Sequence, residues 1–288
     1  MSLDSEVQPR CRAPALACDA HFHVFGPAEQ YGYDANLRYK PPLAPLVDYL
    51  ELADLMGFER FVFVQPSAYG RDNSCMLAAM AEVRTERCRG IVDVHEDVAD
   101  AELDRLNSLG VRGVRINVSP VQPFDANLGQ SMLPRIQKLD ARCAELGWHL
   151  DFLLPGWLTQ QMLPTFSKLK VNYSLAHMGM FLAKQGPAQA GFKSLLELLR
   201  HGNGRCWVKF TGTYRMASEP HFEDAAAMAQ ALIAAAPDRL IWGSDYPHLS
   251  FADKVGSVQL FNLLADWAPD EATRHKILVD NPQHLFGF

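Results

Sequence analysis

Eight short apolar runs, rich in β-branched residues, recur along the chain, and segments with helical spacing separate them. The runs are DAHFHVF at 19–25, FVFVQPS at 61–67, GIVDV at 90–94, VRGVRINV at 111–118, HLDFLLP at 149–155, VNYSLAHMG at 171–179, CWVKFTG at 206–212 and LIWGSDYPH at 240–248. Nearly continuous apolar strands that alternate with helices are typical of a parallel sheet covered by helices. Eight such units in 288 residues predict an α/β protein with a (β/α)8 barrel of the TIM type.

The main alternative fold is a doubly wound open sheet. No glycine-rich phosphate loop follows the first run, which weakens that alternative. The sequence contains no obvious linker, low-complexity segment or close internal repeat. We therefore predict a single domain over 1–288, in which 1–17 form an N-terminal extension.

Composition and charge restrict the partners of the chain. The formal net charge of -6 argues against a nucleic-acid footprint. The six cysteines are scattered and form no Cys-x-x-Cys pair, which is typical of reduced intracellular proteins. No apolar run reaches the length of a membrane span, and the polar N-terminus lacks signal-peptide features. We expect a cytoplasmic protein with a small-molecule partner and no nucleic-acid or membrane partner. A homo-oligomer is compatible with the sequence.

Two histidines, His21 and His23, lie one residue apart in the first run, which Gly26-Pro27 follows. In a strand, residues i and i+2 point to the same face, so both imidazoles leave one side of the sheet. Two solvated histidines on a polar strand face would produce the same pattern. The alternative is a shared site for a metal ion or a substrate, and the ends of the other runs decide between the two interpretations.

Active sites of (β/α)8 barrels lie at the C-terminal ends of the strands. Polar residues gather at these ends in this sequence. His177 lies near the end of the sixth run, Asp245 lies near the end of the eighth, and His248 follows three residues later. Further polar residues at or just beyond the run ends are Gln65, Ser67, Tyr69, Arg115, Asn117, Lys209, Tyr214 and Arg215. Because a random scatter would not favour strand ends, we predict a site there.

Two cations near these ends have more than one interpretation. Arg112 and Arg115 are three residues apart on one strand, so they point to opposite faces. Arg115 shares its face with Asn117 at the strand end, and we therefore favour Arg115 as the inward residue. Lys209 is either an anion contact inside the barrel or a structural lysine with a charged partner.

Five motifs together carry a resemblance to a known family: DAHFHVFGP, QPSAYGRDN, GVRGVRIN, HMG and WGSDYPH. In this order they resemble the amidohydrolase superfamily. They are most similar to its amidohydrolase-related branch, which includes pyrone-dicarboxylate and sugar-acid lactonases. The resemblance runs from about residue 18 to the C-terminus. It implies a (β/α)8 barrel and hydrolytic chemistry, commonly on lactones, with decarboxylases among the relatives.

The resemblance also assigns roles to single residues. It implies that His21, His23 and His177 are the histidines of the site and that Asp245 activates water. Contacts to substrate carboxylates are implied at Tyr39, Ser67, Arg112 or Arg115, and Arg215. From their positions, Tyr69, Lys209 and His248 are added as candidate substrate contacts.

The chain departs from the lactonase pattern after the sixth strand. The lactonase motif continues His-Met-Gly-Arg, whereas Met180 stands here in place of the arginine, and Phe181 adds apolar surface. One contact to an anion is therefore missing. The resemblance then implies a lactone that is less highly charged than a pyrone dicarboxylate.

The resemblance also bears on metal content. Two-metal members of the superfamily need a lysine or glutamate at strand 4 and a histidine at strand 5. Strand 4 reads RINV, and His149 lies at the start of strand 5, away from its active end. The lactonase branch works without metal, so we expect no cofactor. The alternative is one zinc ion held by His21, His23, His177 and Asp245.

The resemblance therefore implies a hydrolase that opens a small carboxylated lactone in aromatic-acid or sugar-acid catabolism, and we predict Asp245 as its general base. The alternatives are a zinc-dependent decarboxylase and a C–C or C–N hydrolase of the same superfamily. A binding protein on a degenerate barrel is a third class. The complete set of histidines and aspartate at the strand ends argues against it.

Overall fold

The computed structural model describes residues 4, 7–35, 37 and 39–288. Its strands are β1 (Cys18–Phe22), β2 (Arg60–Val64), β3 (Cys88–Val92), β4 (Val111–Asn117), β5 (His149–Leu153), β6 (Tyr173–Leu175), β7 (Cys206–Phe210) and β8 (Leu240–Trp242). They belong to one eight-stranded sheet whose order follows the chain from β1 to β8. This is the topology of a (β/α)8 barrel, and the predicted fold class is confirmed.

Helices follow most strands, as the alternation of patterns predicted. They are α1 (Leu46–Met56), α2 (Ser74–Glu82), α3 (Asp100–Ser108), α4 (Leu128–Leu146), α5 (Gly156–Phe166), α6 (Ala190–His201), α7 (Ala226–Ala235), α8 (Ser257–Trp267), α9 (Glu271–His275) and α10 (Asn281–Phe286). Short 3₁₀ turns at Ser67–Tyr69, His177–Met180 and Thr213–Arg215 come shortly after β2, β6 and β7. Several predicted site residues therefore lie on these turns.

The chain divides into two compact units, one from residues 1–112 with 242–288 and the other from 113–241. In the first unit, β1 pairs in parallel with β2, and β2 pairs with β3. Phe22 of β1 stacks on Tyr49 of α1, with ring centroids 3.7 Å apart. Burial of one such ring stabilises a fold by about 1.5–3 kcal/mol. The single domain predicted over 1–288 stays a prediction.

In the second unit, β4, β5, β6 and β7 pair in parallel. Phe152 of β5 packs against Phe166 of α5 at 4.6 Å between centroids, and Tyr173 of β6 completes the cluster. These rings cover the helix-facing side of the strands. The polar residues of the same strands are described with the site.

The described part of the predicted N-terminal extension packs on the first unit. The Arg10 guanidinium pairs with Asp266 of α8 at 2.6 Å, and the amide of Ala13 donates to the carbonyl of Met56 at the end of α1. Within the described ranges, no helix combines the length and apolarity needed to cross a membrane.

Candidate active site

The end of β1 and the loop after β8 bring His21, His23 and Asp245 together in the first unit. Nε2 of His21 lies 3.5 Å from Oδ1 of Asp245, and Nε2 of His23 lies 3.4 Å from the same oxygen. The two imidazole centroids are 5.0 Å apart, with their planes at 83°. All three side chains are buried. Two nitrogens and a carboxylate thus converge on one point.

The backbone fixes this convergence. The amide of Asp245 donates to the carbonyl of His21 at 2.8 Å, and the amide of His23 donates to the carbonyl of Tyr246 at 2.9 Å. Asp245 has a φ of 58°, in the left-handed region that few residues other than glycine adopt. Such strain persists only where the surroundings over-determine it, and it is concentrated at functional sites. The turn after β8 therefore aims the carboxylate at the two histidines.

A carbonyl group determines the proton position on His23. Nδ1 of His23 is 2.7 Å from the carbonyl oxygen of Val64, at the end of β2. A carbonyl can only accept, so Nδ1 must carry a proton and donate it. In the neutral ring, the lone pair of Nε2 then faces Asp245. A backbone carbonyl that orients the ring in this way is the usual outer partner of a metal-binding histidine.

The spacing of the three atoms fits a zinc ion. One atom from each of His21, His23 and Asp245 lies within 4.8 Å of the others. The two N···O distances of 3.4 and 3.5 Å exceed the 2.7–3.2 Å of an N–H···O hydrogen bond. Zinc bonds of about 2.0–2.1 Å place neighbouring ligands of a tetrahedron about 3.4 Å apart. The residues are therefore compatible with one bound zinc.

The fourth predicted residue, His177, lies in the second unit, two residues after the end of β6. Its backbone φ is 53°, and its Nδ1 is 2.7 Å from the hydroxyl of Thr211, which follows β7. The amide of His177 also donates to this hydroxyl at 3.2 Å. A side chain at Gly212 would collide with the imidazole ring, so glycine is required there. Thr211 and Gly212 thus fix the ring, while the participation of His177 in the site stays a prediction.

Two loops of the first unit present a pair of hydroxyls. The Tyr39 hydroxyl is 3.1 Å from the hydroxyl of Ser67, on the 3₁₀ turn after β2. Tyr69 has a different environment, because its hydroxyl accepts from the amide of Gly26 and its ring stacks on Tyr33 at 5.5 Å. Burial raises the pKa of Tyr69 above its ordinary value. Tyr39 and Ser67 stay predicted substrate contacts, whereas Tyr69 ties the two loops together.

Lys209 of β7 belongs to a buried ionic cluster in the second unit. Its Nζ is 2.6 Å from Oδ1 of Asp151 on β5, and the hydroxyl of Ser174 donates to the same oxygen at 2.5 Å. Burial alone would raise the pKa of Asp151, but the charges of Lys209 and Arg115 outweigh burial and lower it to about 2. Asp151 is therefore ionised at neutral pH. This pairing favours the structural interpretation of Lys209.

The remaining predicted contacts have mixed surroundings. Arg115 is buried, whereas Arg112 is half-buried and donates to Asn107 at 3.0 and 3.1 Å, in line with the choice of Arg115 as the inward residue. His248 is buried, with Nε2 2.9 Å from the hydroxyl of Ser257 at the start of α8. Half-buried Arg215 places its guanidinium carbon 5.0 Å from the centroid of the Tyr214 ring.

The two residues that depart from the lactonase pattern are buried. Met180 packs with Leu153 and Ala176, and Phe181 lies against Phe192 at 5.8 Å between centroids. Phe181 therefore covers the core of the second unit.

Sequence reasoning gave no role to Asp19, Thr211 or Asp151. Asp19 is fully buried two residues before His21, and burial raises its pKa to about 6 although hydrogen bonds from Ser244, His21 and Tyr49 oppose the rise. The period of two along β1 gave no signal for Asp19, because the register shifts between Asp19 and Phe22 and the Asp19 carboxylate binds Tyr49 of α1. Thr211 and Asp151 gave no signal either, since their partners lie 34 and 58 residues away along the chain.

Comparison with known proteins places these residues in a family. A sequence model described as Amidohydrolase matches residues 18–288. A 4-sulfomuconolactone hydrolase from Rhizobium radiobacter is 37% identical, over 95% of this chain and 91% of that protein. A 2-pyrone-4,6-dicarboxylate hydrolase from Comamonas testosteroni is 30% identical, over 97% of this chain and 92% of that protein.

Solved structures agree on the fold. A crystal structure of an apo protein from Agrobacterium tumefaciens is 28% identical, with a TM-score of 0.85, over 97% of this chain and 98% of that chain. An amidohydrolase from Burkholderia multivorans with bound zinc has the same fold at 18% identity, with a TM-score of 0.68, over 95% of this chain and all of that chain. The order of the motifs, the eight-stranded topology and the match over 18–288 lead to one conclusion: the chain belongs to the amidohydrolase family.

Proposed function

We propose that the protein hydrolyses a small lactone that carries an anionic substituent. As a member of the amidohydrolase family it is an enzyme of the hydrolase class. The buried cluster of His21, His23 and Asp245 carries the proposal, because it combines a proton acceptor with two imidazoles at one point. Full-length relatives named as hydrolases of a sulfo-substituted lactone and of a pyrone dicarboxylate support the choice of a lactone.

Asp245 is the proposed general base. Its carboxylate accepts a proton from water, and the water oxygen forms a bond to the lactone carbonyl carbon. The acyl C–O bond then breaks, and the ring oxygen leaves with the proton returned by Asp245. The product is an open-chain hydroxy acid, or its keto tautomer where the leaving oxygen was enolic. A lactone suits this site because an alkoxide or enolate leaves much more readily than an amine.

We favour the one-zinc alternative over the expected absence of a cofactor. His21, His23 and Asp245 would hold the ion as three protein ligands, which leaves a position for water, and His177 stays a predicted ligand only if the coordination expands to five. Bound zinc supplies Lewis acidity and lowers the pKa of a coordinated water to about 7. The N···O distances of 3.4 and 3.5 Å, together with the hydrogen bond that directs the His23 lone pair inward, support this preference.

Metal analysis tests this preference directly. We expect about one zinc per chain in the purified protein, lost in His23→Ala and kept in His95→Ala. His95 is a matched control, because it lies with Glu96 and Asp97 in the second His/carboxylate group found among the described residues, half of its side chain exposed to solvent. Elemental analysis of wild type and both variants measures the difference. Full activity in chelator-treated, zinc-free protein would instead support the metal-free mechanism.

Arg215 is the proposed partner of the substrate anion. Arg215→Met should raise KM for the acid substrate by about 10-fold or more, in keeping with a charge-assisted contact of roughly 1.5–3 kcal/mol. The neutral ester of the same substrate loses no such contact, so its KM should change little. Arg200→Met is the control, because Arg200 is exposed and pairs only with Glu197 among the contacts described for it. Equal weakening of acid and ester would assign Arg215 a structural role.

A panel of lactones tests the proposed function itself. Ring opening produces a carboxylic acid, and a pH indicator reports the released proton. We expect the best substrate to carry one carboxylate or sulfo group, because Met180 removes one arginine from a dicarboxylate clamp. A pyrone dicarboxylate as the best substrate would refute this use of Met180. Release of CO₂ from aromatic acids without any lactone turnover would favour the decarboxylase alternative.

A further inference from the structure

We infer that Asp19 is a positioning residue that holds His21 and Asp245 in their working arrangement, an inference that rests on the proposed function. Asp19 lies in β1 and is fully buried. Its Oδ1 accepts from the amide of His21 at 3.1 Å and from the amide of Ser244 at 3.0 Å. Its Oδ2 accepts from the Tyr49 hydroxyl at 2.9 Å. One carboxylate thus joins β1, α1 and the loop after β8.

The contact to Ser244 is the important one, because Ser244 directly precedes Asp245. One oxygen of Asp19 therefore binds the strand that carries the histidines and the residue before the base. The next hydrogen bonds along the two segments run from the amide of Asp245 to His21 and from the amide of His23 to Tyr246. Together with the hydrogen bonds of Asp19, these two bonds connect β1 to the loop after β8 at three successive positions. A shift at Ser244 would be transmitted to Asp245 one residue later.

Tyr49 supports the same arrangement from the helix side. Its ring stacks on Phe22 at 3.7 Å and lies 5.5 Å from the ring of Tyr246, centroid to centroid. The phenol is therefore packed between the strand and the loop while its hydroxyl binds Asp19. Ser244 contributes its hydroxyl to Asp19 in addition to its amide. Each group around the carboxylate donates to it, which is the pattern expected of a carboxylate that holds its neighbours in place.

The hydrogen bonds of Asp19 distinguish it from a side chain that only fills space. An apolar side chain at position 19 would leave the amides of His21 and Ser244 buried without this acceptor, which destabilises their present positions. A displacement of about 1 Å between catalytic groups can lower turnover by about 10²-fold even when the substrate still binds. Loss of Asp19 should therefore reduce kcat much more than it raises KM.

Two mild variants and one severe variant test this role. Asp19→Asn keeps an oxygen for the two amides, whereas Asp19→Ala removes every link. Tyr49→Phe keeps the stacked ring and removes only the hydrogen bond to Oδ2. We expect kcat to fall by about 10²-fold in Asp19→Ala, with partial rescue in Asp19→Asn, and by about 3–10-fold in Tyr49→Phe, with KM within about 2-fold throughout. If Asp19→Ala does not fold, the other two variants still decide.

A core variant separates positioning from general destabilisation. Phe58→Leu truncates a ring that packs on Trp242 at 5.0 Å and lies outside the Asp19 hydrogen bonds. It should lower Tm while leaving kcat within about 2-fold of wild type. A kcat loss in Phe58→Leu that matches Asp19→Asn and Tyr49→Phe at equal Tm would show that Asp19 is merely structural. Unchanged kcat in Asp19→Asn and Tyr49→Phe would also overturn the inference.

A crystallographic readout keeps the test independent of the reaction. The distance from His21 Nε2 to Asp245 Oδ1, 3.5 Å here, should lengthen in Tyr49→Phe and more in Asp19→Asn. If wild type opens no lactone, the proposed function fails, and this distance alone decides the role of Asp19. An unchanged distance in both variants would refute the positioning role even if the enzyme proves to be a lactonase.

Discussion

Asp245→Asn is expected to lower kcat by at least ~10²-fold while KM stays close to the wild-type value, because the amide cannot accept a proton at neutral pH. Asparagine is nearly isosteric with aspartate. It also tolerates the left-handed backbone at position 245, where φ is 58°. The variant should therefore fold, and steady-state kinetics on the best lactone of the panel measure the effect.

The control for this variant is Asp253→Asn, a substitution of an exposed carboxylate in the same loop region. It should leave kcat unchanged. Zinc content should be measured in both variants, because an amide oxygen is a weaker ligand than a carboxylate. Turnover of Asp245→Asn within ~3-fold of wild type would remove Asp245 from the role of base.

The period of two along β1 was sufficient to place His21 and His23 on one face. The order of strands followed from local signals as well, since each apolar run overlaps one strand. The end of β6 was harder to predict from local signals. The predicted run extends over 171–179, whereas β6 ends at Leu175, and His177 to Met180 form a turn in the left-handed region. Of these four residues, only Gly179 is of a type that predicts a left-handed backbone from the sequence.

Pro134 is a poor local signal for α4, because proline favours the first turn of a helix. The helix begins at Leu128, so Pro134 lies inside it. A proline there removes one donor to the carbonyl four residues earlier, a cost that the tertiary structure offsets. The residues of the segment do not reveal which tertiary contacts offset the cost of the proline.

The hydrogen-bond and ion-pair partners of the buried charged residues also could not be predicted from the residues next to them in the sequence. Lys209 was equally consistent with an anion contact and with a structural ion pair. The choice depends on Asp151, which is 58 residues earlier in the chain but lies 2.6 Å away on β5. Asp19 is a similar case, since its donor Ser244 is 225 residues away. Hydrogen bonds and ion pairs between distant strands depend on the register of the sheet, which a single sequence does not specify.

Lys209→Met is expected to destabilise the fold by about 3–5 kcal/mol, because it leaves the Asp151 carboxylate buried without its closest cation. Methionine preserves most of the side-chain length, so cavity formation contributes little. Urea unfolding should show a lower midpoint at an unchanged slope. Arg200→Met is again the control, since loss of an exposed pair with Glu197 should cost less than about 1 kcal/mol.

The double variant Lys209→Met/Asp151→Asn should recover most of the lost stability, because it removes the uncompensated charge.

The stabilisation of the fold by ionised Asp151 should also depend on pH. The pKa of Asp151 is about 2 in the fold, against an ordinary value of 3.8, so its ionised form stabilises the native state above about pH 4. That contribution, about 2 kcal/mol, should disappear as the pH falls from about 4 to about 2. Wild type should therefore lose more stability over this interval than the double variant. Parallel acid profiles for the two proteins would show that Asp151 is not the ionised partner of Lys209.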